Sequence, residues 1–184
     1  MSPSSGSQID KLISELRNAS DRAAQLFQAR SPADLLKSPG PARWSAAQCI
    51  VHLNLSNRAY LPKLSAVLQE IPAKKNLSPG RSFHLNWNAR LLKYWLEPPS
   101  RLRLPTTAPF QPIDVQPEVV LTEFREINER LIHILDAARD LALDAVKITS
   151  PFAETMKYNA YSAFVVIAAH NRRHLWQAER ALNG

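Results

Sequence analysis

PEVVLTEFREINERLIHILDAA, residues 117–138, is the most regular segment of the chain. Val120, Phe124, Ile127, Leu131, Ile134 and Ala138 follow one another at steps of four and three residues, the spacing of an a/d seam along one face of a helix. Pro117 suits the first helical position, where a missing N–H leaves nothing unpaired. The segment therefore predicts a long helix buried along one stripe. What precedes it decides how that helix is placed. Residues 98–117 hold six prolines and no periodicity. A connection of this length inside a compact domain signals a crossover. A tight turn forces neighbouring helices antiparallel, whereas a long crossover lets the second run parallel to the first.

Three further long helices are predicted around this one. The first covers about Gln8 to Ala29, with Ile9, Leu12, Ile13, Leu16, Ala19, Ala23 and Leu26 on one face. Pro32, Pro39, Gly40 and Pro41 then break the chain. The second starts at Ser45, a good N-cap, with Gln48 three residues on as in a capping box and Trp44 placed to staple the helix start. Its stripe runs through Ala46, Cys49, Ile50, Leu53, Tyr60, Leu64, Val67 and Leu68, and Pro62 within it predicts a kink or a new start. The last covers about Asn159 to Leu182, with Ala163, Val166, Ile167, Ala178 and Ala181 on one side. A short helical stretch, roughly Leu85 to Leu96, lies before the crossover. No strand pattern or internal repeat competes. The expected fold is all-α: an up-down-down-up four-helix bundle with a long crossover between the second and third helices. It would form a single domain over residues 1–184, with 1–7 as a flexible tail.

Composition closes off other classes. At 184 residues, 45% hydrophobic and 21% charged, the chain has the make-up of one globular domain with a core of its own. The single Cys49 excludes a disulfide scaffold. The longest apolar run, Ala163 to Ala169, is seven residues, against the roughly 20 that a membrane-spanning helix needs. The polar N-terminus lacks a signal-peptide core. These readings predict a cytoplasmic protein with no membrane partner. The formal charge of +7 raises nucleic acid or an acidic small molecule as partners. The basic residues are scattered, however, with only the pairs Lys74-Lys75 and Arg172-Arg173 and the alternating Arg101 and Arg103. No nucleic-acid motif accompanies them, so nucleic acid is not the expected partner.

The chemistry-bearing residues are histidines. His170 and His174 stand at i and i+4 on the last helix, so both imidazoles lie on one side, one turn apart. Positions 163, 166, 167, 170, 174, 177, 178 and 181 form one stripe that is mostly apolar, which turns the pair into the bundle. His52, on the second helix, has the small residues Cys49, Ser56 and Ala59 on its side. Three neutral imidazoles from two facing helices would make a metal site with open coordination positions, the pattern of a catalytic site. Such a metal could activate water or bind a thiolate. The competing reading is that each histidine is a satisfied core residue. In the run His170-Asn171-Arg172-Arg173-His174, Asn171 stands where a zincin protease needs its glutamate base, so that class is excluded. Arg172 and Arg173 are expected to fall away from the histidine face, either solvated or binding an anion. Cys49 reads as a small buried hydrophobe rather than as a nucleophile paired with His52. His84 and His133 have no partner at ligand spacing, and His133 is expected at the surface. Gln48 and Gln177, one turn from His52 and His174, read as hydrogen-bonding neighbours of the ligands, pocket wall or solvated side chains. No catalytic side chain beyond the ligands is assigned.

Two segments resemble the DinB-like superfamily, which includes the YfiT-like proteins described as metal-dependent hydrolases. One is Trp44-Ser45-Ala46-Ala47-Gln48 running into His52-Leu53. The other is Ala169-His170-Asn171-Arg172-Arg173-His174-Leu175-Trp176-Gln177, similar to that family's closing His-x-x-x-His helix. The resemblance extends over essentially the whole chain. It implies a divalent metal, nickel or zinc foremost, held by His52, His170 and His174; by their own chemistry three imidazoles also accept iron or manganese. It further implies a metal-dependent enzyme transferring a small thiol to an electrophile. The alternatives are a hydrolase using a metal-bound hydroxide and a non-catalytic metal-binding stress-response module acting as a homodimer. The aromatics between Trp87 and Trp95, or a free face of the first or last helix, would supply the interface of such a module.

Overall fold

The structure, a computed structural model, describes residues 3–70, 81–99, 105–113 and 116–183. Met1 and Ser2, the pair Lys74-Lys75, Arg101 and Arg103, and parts of the 98–117 crossover lie outside the described residues.

The described chain is mostly helical. Helix α1 spans Ser5–Gln28, α2 Pro32–Leu36, α3 Ala46–Glu70, α4 Trp87–Leu96, α5 Pro117–Ala137 and α6 Ala160–Asn183. A 3-10 turn at Ala108–Phe110 sits in the crossover. Strands β1 (Lys147–Thr149) and β2 (Lys157–Asn159) pair antiparallel, with Ile148 opposite Tyr158. The helix start of α1 differs from the expected Gln8. Ser4 caps it by accepting from the Ser7 N–H at 3.3 Å, and the Ser5 N–H donates to the Arg81 carbonyl at 2.7 Å. Residues 5–7, which the sequence reading assigns to a flexible tail, are therefore helix. The hairpin and α2 are not expected from sequence either. Three-residue strands are too short to show alternation, and five residues are too short to show a helical period. Helix α3 continues through Pro62 without a new start. Pro62 is exposed, and so is Arg58, whose carbonyl loses its partner, so water can satisfy that group.

Helix α1 packs on α5 and α6, and α3 packs on α5 and α6. Contacts between side chains give the sense of each pairing. Gln8 meets Tyr161, Glu15 meets Arg172 and Arg22 meets Glu179, so positions rise together along α1 and α6. Asn54 meets the Val120 carbonyl and Arg58 meets Glu123, so positions also rise together along α3 and α5. Ser20 with Asn128 and Asp10 with Arg139 run in opposite order on α1 and α5. His52 with His170 and Tyr60 with Tyr158 do the same on α3 and the β2–α6 segment.

The core divides into two apolar clusters. One gathers Ile9, Leu16, Leu64, Leu131 and Phe164, and the other Ala23, Ile50, Leu53, Phe124 and Leu175. On every long helix a polar residue stands at the changeover: Ser20 on α1, Asn57 on α3, Asn128 on α5 and Asn171 on α6. They are linked in sequence. Asn57 Nδ2 donates to Asn171 Oδ1 (3.0 Å), Asn171 Nδ2 to Asn128 Oδ1 (3.5 Å) and Asn128 Nδ2 to Ser20 Oγ (3.0 Å). On α6, Asn171 stands between His170 and His174.

Candidate metal centre

The local sequence places each histidine. The Ser45 N–H donates to Gln48 Oε1 (3.0 Å) and the Gln48 N–H to Ser45 Oγ (3.1 Å), which is the expected capping box. It fixes the start of α3 and, two turns on, the direction of His52. The Trp44 indole packs beside His52 (4.9 Å between ring centroids) and His174 (5.8 Å). On α6 the i,i+4 spacing sets His170 and His174 edge to face with centroids 4.5 Å apart. His52 lies 5.0 Å from the first and 4.5 Å from the second. All three rings are buried, and one ligand nitrogen from each lies within 4.8 Å of the others.

The electrostatics of this trio suit a cation. His52 Nδ1 donates to the Phe110 carbonyl at 2.7 Å. A carbonyl only accepts, so the proton sits on Nδ1 and the Nε2 lone pair faces His170. The two Nε2 atoms are 3.2 Å apart. Nitrogens each about 2.0–2.1 Å from one tetrahedral metal stand roughly 3.3–3.4 Å apart, so the spacing fits shared ligation. His174 Nδ1 is buried without a hydrogen bond. Burial lowers the pKa of His52, against the pull of the Phe110 bond. His170 and His174 lie well below the usual imidazole range, through burial first and then through the neighbouring histidines and Arg173. All three are therefore neutral at pH 7, the state a metal requires. An orphaned buried nitrogen, a carbonyl-fixed tautomer and three neutral donors together fit a divalent ion.

The trio opens into a cavity of about 860 Å³. Gln48 and Gln177 line it, as do Leu92 and Leu96 of α4, Thr106, Thr107 and Gln111 of the crossover, and Ser150, Phe152 and Met156 of the hairpin. Cys49 also lines it, but burial pushes its thiol up to about 12, so it is no thiolate at neutral pH. The Tyr60 hydroxyl is hydrogen-bonded to that of Tyr158, and burial holds both protonated. Arg172 pairs with Glu15 and Glu97, away from the histidines as expected. Arg173 departs from expectation: it is 4% exposed, lines the cavity and donates to the Trp95 carbonyl at 3.1 Å. Being three residues past His170, it shares the flank of that face. His84 and His133 are exposed and take no part. Sequence reasoning misses the Phe110 carbonyl and the hairpin wall, because neither lies on a periodic element. Only the length of the crossover signals that it does more than connect.

The family model of the DinB superfamily matches residues 15–178. The chain belongs to the DinB superfamily. The match takes in His52, His170 and His174, and the DinB superfamily is associated with metals. Three histidines that could hold a metal ion are thus joined to a family in which metal is expected. Comparison with curated proteins and with solved structures gives no match. No helix among the described residues is long and apolar enough to cross a membrane.

Proposed function

We propose that this DinB-superfamily protein is a metal-dependent enzyme that transfers a small thiol to an electrophile, with His52, His170 and His174 holding a zinc or nickel ion. The order of side-chain pairings along the helices supports an up-down-down-up bundle, with the crossover and hairpin closing the open end of the site. The observation that carries the functional reading is the convergence of three neutral imidazoles on a cavity large enough for a substrate. A structural metal would be enclosed by its ligands, whereas this trio faces open volume.

When bound, a divalent ion supplies Lewis acidity that lowers the pKa of a thiol beside it. The chain supplies the rest. Cys49 stays protonated and buried, so the sulfur nucleophile comes from outside. In the transfer the sulfur–carbon bond forms, the leaving group departs with its electron pair and the thiol proton passes to solvent. Trp44 and Phe152 flank the histidines and exclude water from their edges. Tyr60 and Ser150 line the wall, with the Tyr60 hydroxyl bonded to that of Tyr158.

The test loads metal-free protein with zinc or nickel and follows consumption of a panel of low-molecular-weight thiols with 1-chloro-2,4-dinitrobenzene. Saturable, metal-dependent turnover with at least one thiol, lost in His174→Ala, is expected. Rates equal to the protein-free background with every thiol and both metals would contradict the reading.

A further inference from the structure

Among the described residues 105–113 of the crossover, Phe110 is the buried one, at 7% exposure. Its neighbours Thr106, Thr107 and Gln111 line the cavity. Both attachments of Phe110 lead to the histidine trio. Its carbonyl accepts from His52 Nδ1 at 2.7 Å. Its ring packs on Phe152 with centroids 4.4 Å apart, and Phe152 in turn meets His170 edge to face at 5.8 Å. The turn is closed by the Phe110 N–H on the Thr107 carbonyl (3.0 Å) and the Gln111 N–H on the Ala108 carbonyl (3.2 Å). Thr107, Ala108, Pro109 and Gln111 are all exposed. A single 3-10 turn in such surroundings opens readily unless something outside it holds it shut.

We infer that metal binding and the crossover are coupled through Phe110, a positioning residue for His52: an ion on the histidines holds the Ala108–Phe110 turn, and with it one wall of the cavity, in place. This rests on the trio being a metal site. The coupling follows from the two nitrogens of one ring. A divalent ion at Nε2 draws electron density from the imidazole and makes the Nδ1–H a stronger donor. A charge-assisted hydrogen bond is roughly twice as strong as a neutral one. The ion also stops the ring from swinging away from the carbonyl. Coupling of this kind is reciprocal. The factor by which the ion disfavours the open turn is the factor by which opening weakens the ion's binding. A turn that merely connects two helices would show neither effect.

The test follows amide hydrogen exchange by NMR on the full chain, metal-free and zinc-loaded, with zinc binding measured on the same samples by calorimetry. It reads no turnover, so a failed thiol-transfer assay leaves it intact. The Phe110 and Gln111 amides are expected to exchange about tenfold more slowly with zinc. The Gln8 amide, bonded to the Ser4 carbonyl at the start of α1 (2.9 Å), should change by less than about twofold. Phe110→Ala, which empties the seat on Phe152, should bind zinc about tenfold more weakly, and Phe110→Leu, which refills most of it, should recover to within about threefold of wild type. A role confined to packing would lower the stability of Phe110→Ala and leave its zinc affinity alone. Should Phe110→Ala fail to fold, exchange in the unaltered chain decides. Zinc bound with the turn amides slowed no more than Gln8 would overturn the coupling and leave the metal centre standing, as would wild-type zinc affinity in folded Phe110→Ala. No zinc bound by the unaltered chain would overturn both.

Discussion

At His52 the bond from Nδ1 to the Phe110 carbonyl does two things. It holds the ring in one orientation, and it leaves Nε2 as the only nitrogen able to accept a cation. His174 has no such support at Nδ1, so its place depends on Trp44 and on its neighbours along α6. Losing a hydrogen-bond partner behind a ligand typically costs 10–100-fold in metal affinity, and losing the ligand costs more. His174→Ala should therefore weaken zinc binding by more than about 100-fold. His133→Ala, at the surface, should leave it unchanged. Competition against a chromophoric chelator measures both. Cys49 gives the complementary case. Its thiol is raised by burial alone, so Cys49→Ala should keep metal binding and any thiol transfer and cost only about 1 kcal/mol of stability for the lost volume. Abolished turnover with metal retained would make Cys49 a nucleophile after all.

The helices carry a second pattern beneath the apolar stripes. Ser20, Asn57, Asn128 and Asn171 lie at matching levels and join α1, α3, α5 and α6 through a chain of hydrogen bonds. Buried amides at 0–1% exposure are costly when unpaired, and although Asn57 Oδ1 has no partner, the Nδ2 bonds of all three hold this layer at one register and, with it, the height at which His52 meets α6. Asn171→Leu would strand Asn57 Nδ2 and Asn128 Oδ1, at about 1–3 kcal/mol for each stranded partner. Urea denaturation should show a loss in that range, with the helical circular dichroism of the folded state preserved. A change within experimental scatter would mean that the layer is no register device. The same elements show where sequence is readable. The stripe through Val120, Phe124, Ile127 and Leu131 lies in the core as its spacing predicts, and the Ser45–Gln48 box forms as written, because both signals are local. The side Arg173 takes is not local. It depends on α4 lying across α6 to offer the Trp95 carbonyl, and one-dimensional spacing does not carry that contact. The Phe110 carbonyl and the hairpin wall arise from backbone in a non-periodic stretch, where no side-chain pattern marks them.

For the molecule as a whole, three histidines held neutral by burial make acid a destabilising agent. In the unfolded chain each imidazole titrates near 6.5, whereas in the folded chain all three lie lower. As pH falls below about 6.5 the unfolded state takes up protons that the folded state refuses, so stability falls and goes on falling down to the folded pKa values. Above about pH 7 the trio adds no slope, because it is neutral in both states. Metal-free protein should thus unfold at lower urea at pH 5.5 than at pH 7.5, with a shallower dependence in His174→Ala; equal slopes would mean that other groups govern the acid limit. The lowered values also mean that protons compete with metal only below the usual imidazole range, so zinc affinity should hold steady from pH 7.5 to 6.5 before it declines. The central claim is that His52, His170 and His174 form one divalent metal site, and the most direct measurement is calorimetric titration of zinc into metal-free protein at pH 7.5, wild type beside His52→Ala. One zinc per chain in the wild type and no measurable binding in the variant is the predicted result. A full equivalent of zinc bound with undiminished affinity by the folded His52→Ala protein would contradict it.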